Sequence, residues 1–201
     1  MGDITTIEAL EALYNPAPSE ASLVKVAHQM TPEYAAWIGA AKFCVLSTVG
    51  PGGTDGSPRG DDGPVVDIYD DHTLLMPDWR GNTRLDSLRN IISDGRVSLM
   101  FMINGQNIVI RVNGTAKLTT DPALVGRFEQ GGKQPQSVVV VTIGEIYSQC
   151  ARALLRARLW GDAPDLTLPS MGDILRAQTK GAIDGQAYDR DWAGRAPNTM
   201  W

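Results

Sequence analysis

A mainly β fold, an antiparallel sheet of six strands closed into a barrel with helices at its periphery, is what the pattern of this chain predicts. Three observations carry the expectation. Six segments have strand character, and most are joined by short turns. Helical periodicity is confined to the two ends and to two insertions. Val97 to Ile103 is a continuous apolar run that suits a strand buried on both faces, and Ser137 to Ile146 is a second long apolar strand with four consecutive valines.

The first forty residues read as helices. Ile7, Leu10 and Leu13 mark a short amphipathic piece, Pro16 and Pro18 interrupt it, and Leu23 to Met30 follows. Thr31 as N-cap, Pro32 at the first helical position and Glu33 in the first turn predict a helix over Glu33 to Ala41. Phe43 to Thr48 is the first strand. The next segment has six glycines between Gly50 and Gly63 and reads as a long hairpin connection. Val65 to Tyr69 and Thr73 to Met76 are strands around a tight Asp70-Asp71-His72 turn. Asn82 is expected to cap a helix whose Leu85, Leu88, Ile91 and Ile92 form one apolar stripe.

After the Val97 strand, Asn104-Gly105 suits a hairpin turn. Ile108 to Leu118 alternates, with Ile108, Ile110, Val112, Gly114, Ala116 and Leu118 on one face and Val109, Arg111, Asn113, Thr115 and Lys117 on the other. One face packs and the other can meet a ligand. Asp121-Pro122 opens a short helix to about Phe128, and a helix from Ser148 to about Leu159 follows the valine strand. LPSMGDILRAQTKGA can form one more helix. The segment from Trp192 to Trp201 is expected to be loose or to reach across a partner subunit.

The whole chain sets bounds. Its 201 residues suit one sizeable core with appendages. Lys and Arg number 18 against 23 Asp and Glu, a net charge of -5 that argues against a nucleic-acid partner. No stretch approaches the roughly 20 apolar residues that cross a bilayer, and the N-terminus lacks a basic segment followed by an apolar core. No membrane association is therefore expected, and the expected location is the cytoplasm. Cys44, Cys150, His28 and His72 lie far apart in sequence, so neither a disulfide framework nor a metal site is expected.

Leu74 to Asn90, LLMPDWRGNTRLDSLRN, is the segment with chemistry in it. An apolar strand runs into a Gly-containing turn and then an Arg-rich helix start. The free amides of a first helical turn and the positive end of its dipole favour an anion, and arginine's planar fork matches phosphate oxygens. Two readings stand on these residues alone: a phosphate clamp with Arg80 and Arg84, or an ordinary capped helix with solvated arginines.

With the order of elements in place, the chain resembles the pyridoxamine 5'-phosphate oxidase-like flavoproteins, the FMN-binding split barrels, over roughly Phe43 to Trp160. The matching motifs are Met76-Pro77-Asp78, Gly81-Asn82-Thr83-Arg84, the helix from Leu85 to Ile92, Asp94-Gly95-Arg96-Val97, and Arg111-Val112-Asn113-Gly114-Thr115-Ala116. The segment Ile146 to Ala153 with Leu159-Trp160 is similar to a subgroup of FMN-dependent proteins of undefined substrate. The resemblance implies residues 1–41 as a helical extension, 42–160 as the split-barrel domain, and 161–201 as an extension packing on the barrel or the partner. It also implies that Asn82 and Arg84 hold the FMN phosphate and that Pro77 and Asp78 line the flavin. By the same resemblance, Ser57 and Arg59 are expected to approach from the preceding strand region and Arg111 to come from the other subunit of a homodimer with two FMN sites at its interface.

The chain departs from the family's best-known member. No Arg-x-His pair stands near the C-terminus, so vitamin B6 oxidation is not expected. Among the remaining residues, Arg59 beside Asp61 and Asp62 reads either as a flavin contact or as a solvated loop arginine. Arg111, mid-strand among apolar neighbours, requires a partner, with a ligand favoured. Cys150 reads as a packed thiol and Lys133 as an exposed turn residue. Trp79 and Trp160 read as packing on a neighbouring helix. The expected function is an FMN-dependent oxidoreductase acting on a small organic substrate, with no catalytic side chain assigned, because the cofactor carries the redox chemistry. The rivals are a deazaflavin (F420)-dependent reductase of the same fold and a non-enzymatic flavin or haem-related carrier or sensor.

Overall fold

The computed structural model describes residues 2–14, 17–162, 164–196 and 199–200. Pro16, half of the expected break after the first helix, lies outside the described residues, as does Trp201. Seven strands, not six, form one antiparallel sheet: β1 (Phe43–Gly50), β2 (Gly53–Gly60), β3 (Asp67–Asp70), β4 (Thr73–Asp78), β5 (Arg96–Met102), β6 (Val109–Thr119) and β7 (Ser137–Gln149). Their order is β2-β1-β5-β6-β7-β4-β3, so the sheet ends in two edges, β2 and β3, and hydrogen bonding does not close the predicted barrel.

The extra strand is β2, inside the segment expected to be only a connection. Its backbone pairs with β1 from Gly50↔Gly53 to Phe43↔Gly60, and Pro58 is tolerated there because β2 is an edge. Its burial alternates, with Asp55, Ser57 and Arg59 half-buried between exposed neighbours. These inward residues are polar, so the strand carries no hydrophobic alternation to reveal it.

The core is aliphatic. Leu46, Leu99, Phe101, Val112, Val139, Val141 and Ile146 belong to one buried cluster under which Ile38 of a helix packs. That helix, α1 here (Pro32–Ala40), starts as expected, with Thr31 Oγ1 accepting from the Tyr34 amide at 3.3 Å. The valine run of β7 is buried on both faces. Val139 and Val141 enter the main cluster, and Val138 and Val140 join Leu75 in a second one, covered by Leu124, Val125 and Phe128 of the short helix α2 (Pro122–Val125) and the turn after it. β5, by contrast, alternates buried and exposed positions, so the expectation of burial on both its faces is not met.

Other boundaries shift. The helix expected to run from Leu23 to Met30 is instead Glu20–Val24, and strand β7 runs on to Gln149, leaving only Arg152–Ala157 of the helix expected from Ser148. The tail forms helices Met171–Gln178 and Gly185–Arg195, and Trp192, in the segment expected to be loose, lies in the second. Asp94-Gly95-Arg96 proves to be a turn device. Gly95 has φ of 84°, and Asp94 accepts from the Arg96 amide at 3.1 Å and from its guanidinium at 2.6 and 2.8 Å. These bonds hold the Asp94 carboxyl down at about 2. Gly114 sits at a bulge in β6 where a Cβ would overlap the Thr142 carbonyl oxygen, so only glycine fits.

Candidate functional site

The place where the sheet fails to close is a cleft of about 550 Å³, inside the roughly 300–1,000 Å³ range of small-molecule sites. β3 stops opposite Leu75, so Met76, Pro77 and Asp78 run past it with one edge of β4 unpaired, which also admits the proline. β2 faces this end across the split. Ser57, Arg59, Pro77, Asp78, Asn82 and Arg84 all line the cleft, so six of the seven predicted site residues are brought together.

Arg59 and Asp78 join the two edges. The guanidinium Nη1 donates to Asp78 Oδ1 at 2.7 Å, with side-chain exposures of 19% and 17%. Arg59 Nε is buried and has no hydrogen-bond partner. An unsatisfied buried donor costs about 1–3 kcal/mol, so its presence at a cleft marks a place for an acceptor. Beneath lies Cys44, opposite Arg59 in the β1–β2 register. Burial pushes its thiol up to about 12, against a weaker opposing pull from Arg59. Cys150, expected to be packed, is exposed.

The helix beyond the cleft, α3 (Asp86–Ser93), starts later than predicted, with Leu85 and not Asn82 as its N-cap. Asn82 does accept a backbone amide, from Arg84 to its Oδ1 at 3.1 Å, as a cap would. Thr83 and Leu85 then adopt φ of 57° and 62°, so the chain makes one more turn before the helix. Positive φ at a β-branched or bulky residue is strained, and such strain collects at ligand-binding loops, where turned-in amides form anion-binding concavities. The later start breaks the expected stripe: Ile91 is buried, but Leu85 and Ile92 are exposed.

Of the three arginines that line the cleft, Arg59 and Arg84 are paired with a carboxylate. Arg84, exposed, gives its Nε to Asp86 at 2.7 Å, and that contact raises its pKa. Asp55 accepts from the hydroxyl of buried Ser87 in the first turn of α3. Among the described residues Arg80 has no ion-pair or hydrogen-bond partner, although the resemblance gave the phosphate to Asn82 and Arg84. Asp61 holds Trp79: the indole N–H donates to Oδ2 at 2.6 Å, while Oδ1 accepts from the Asp62 amide at 2.7 Å and from Gln130 at 3.2 Å. Asp55, Asp61 and Ser87 were missed by sequence reasoning, and the polar alternation along β2 was the signal available.

Arg111 lies apart from this cleft, on the outward face of the sheet. Its guanidinium sits 5.2 Å from the centroid of the Tyr147 ring, and Asn113 next to it donates to Glu145 at 2.7 Å. Trp160, expected to pack on a helix, donates its N–H to the Gln106 carbonyl at 2.7 Å. Among the described residues no helix is long and apolar enough to cross a membrane, and no group of three His, Cys, Asp or Glu could hold a metal ion.

A family model described as pyridoxamine 5'-phosphate oxidase matches residues 30–150. No curated protein matches the chain. Among solved structures, HupZ of Group A Streptococcus is similar at 18% identity and a TM-score of 0.50, over 60% of this chain and 94% of that one. General Stress Protein 26 of Bacillus anthracis matches at 18% identity and a TM-score of 0.43, over 57% and 88%. A protein named F420 reductase matches at 17% and 0.43, over 58% and 98%. At these identities the likeness is one of fold.

Proposed function

Because this chain belongs to the pyridoxamine 5'-phosphate oxidase family, we propose that it is an oxidoreductase that holds FMN in the cleft at its split edge and acts on a small organic substrate. Arg59 is the observation that carries this reading. It lies at the junction of both edges with one donor engaged by Asp78 and Nε buried without a partner. An acceptor group of a bound flavin supplies what that atom lacks.

The strained Thr83–Leu85 turn supports the phosphate end. Asn82 and Arg84 hold the phosphate, Arg84 exchanging the Asp86 carboxylate for it, with Arg80 available as the unengaged cation. Pro77, Asp78 and Ser57 line the flavin. The site is completed in a homodimer, where Arg111 of the partner subunit approaches it. When bound, FMN supplies the electron-transfer chemistry, while this chain binds it, orients it and shields it from water.

Absorption spectroscopy of the purified protein, followed by titration with FMN and with F420, tests the assignment. The expected result is a visible flavin band, saturable FMN binding and turnover with a reduced nicotinamide donor. Binding of F420 in place of FMN would transfer the protein to the deazaflavin reductases. FMN binding without turnover across donors and acceptors would make it a carrier or sensor.

A further inference from the structure

Trp79 follows Asp78 directly, and both side chains reach across the split to the β2 side, Asp78 to Arg59 and Trp79 to Asp61. A half-buried indole needs a partner for its N–H, and a carboxylate is a strong one because the bond is charge-assisted. Asp61 is itself fixed by Gln130 and by the Asp62 amide. Three segments, the end of β2, the chain after β4 and the loop carrying Gln130, thereby converge on one carboxylate.

That carboxylate lies in a cleft lined by three arginines, yet its partners are an indole, an amide side chain and a backbone N–H. Its placement orients a ring rather than neutralising a cation. Trp79 lines the cleft, and its ring is anchored by the bond to Asp61. Asp61, the carboxylate beside the ring, is already satisfied by its three donors. The Trp79 side of the wall therefore offers a surface for stacking.

We infer that Trp79 is a specificity-determining residue that stacks on the substrate, with Asp61 as its positioning residue, and that the substrate class is a planar, conjugated ring compound. This rests on reading the cleft as the flavin site.

The test uses the full chain, flavin-loaded and flavin-free, with menadione as the planar probe and cyclohexane-1,4-dione as the non-planar one. Trp79→Ala is expected to weaken menadione binding about five- to tenfold, the size of one aromatic stack, with FMN and cyclohexane-1,4-dione unchanged. Trp79→Phe and Asp61→Ala keep an aromatic ring but lose its anchor, so each gives a smaller loss, and the double variant is no worse than either. A purely structural role for Asp61 would instead give additive losses. Unchanged menadione binding in Trp79→Ala, equal losses for both probes, or a loss confined to FMN overturns the inference. If the wild-type chain takes up no FMN while the menadione loss persists in flavin-free protein, the cofactor reading fails and the stacking role stands.

Discussion

Across β1, β5, β6 and β7 the inward side chains include Leu46, Leu99, Phe101, Val112, Val139 and Val141, none more than 2% exposed, whereas the inward side chains of β2 are Asp55, Ser57 and Arg59. The same sheet thus has a dry aliphatic middle and a polar, ion-paired edge with strained backbone beside it. The middle is built from dispersion and apolar burial, which tolerate no ligand. The edge leaves a buried donor unsatisfied and two non-glycine residues at positive φ, features that a structure optimised only for stability would not keep.

The largest effect expected separates stability from binding. Phe101→Ala removes a side chain that is 2% exposed and should destabilise the fold by about 3–5 kcal/mol in urea unfolding. The folded fraction should keep its flavin affinity. Loss of flavin binding by the folded fraction would mean that the two regions are not independent.

Arg59→Ala should affect both stability and binding. It leaves the Asp78 carboxylate largely buried and unpaired, a loss of about 1–3 kcal/mol once partial solvent screening is allowed for. It also removes the proposed flavin contact, weakening FMN at least roughly tenfold. The double variant Arg59→Met with Asp78→Leu should regain most of the stability and none of the flavin affinity. Recovery of both would reduce the pair to a structural clasp.

Cys44 gives the comparison a pH axis. Its thiol ionises near 9 when unfolded but only at about 12 in the folded chain, so between those values the unfolded state has lost a proton that the folded state keeps. Stability should fall as pH rises through this window, by at most about 1.4 kcal/mol per pH unit, and Cys44→Ala should remove that slope. Iodoacetamide should label exposed Cys150 readily and Cys44 only on unfolding. Arg84→Ala is the mildest change. It should leave the urea midpoint where it is, because the Arg84–Asp86 pair is exposed, while lowering FMN affinity.

The aliphatic middle was legible because hydrophobic runs and turn residues report it directly; β1, β4 and β7 contain the strands expected there, and β5 and β6 each miss one expected terminal residue, Ile103 and Ile108. β2 was not, because period-two alternation is normally read from apolar residues and here the inward set is polar. At α3 the capping chemistry of Asn82 was read correctly, but its bond serves a turn that Thr83 and Leu85 prolong in the left-handed region. Positive φ at threonine and leucine has no sequence signal, since both normally avoid it. The lining role of Ser57, Arg59, Pro77, Asp78, Asn82 and Arg84 came from family resemblance, whereas the Asp61–Trp79 bond depends on contacts between segments 18 residues apart.

If the Asn82–Leu85 turn holds a phosphate, FMN and riboflavin, which differ only in that group, must bind with different affinities. Equilibrium titration of the wild-type chain should give FMN an affinity at least tenfold above riboflavin, the worth of one charge-assisted hydrogen bond, and Arg84→Ala should narrow the ratio. Equal affinities for FMN and riboflavin in the wild-type chain would contradict the phosphate site.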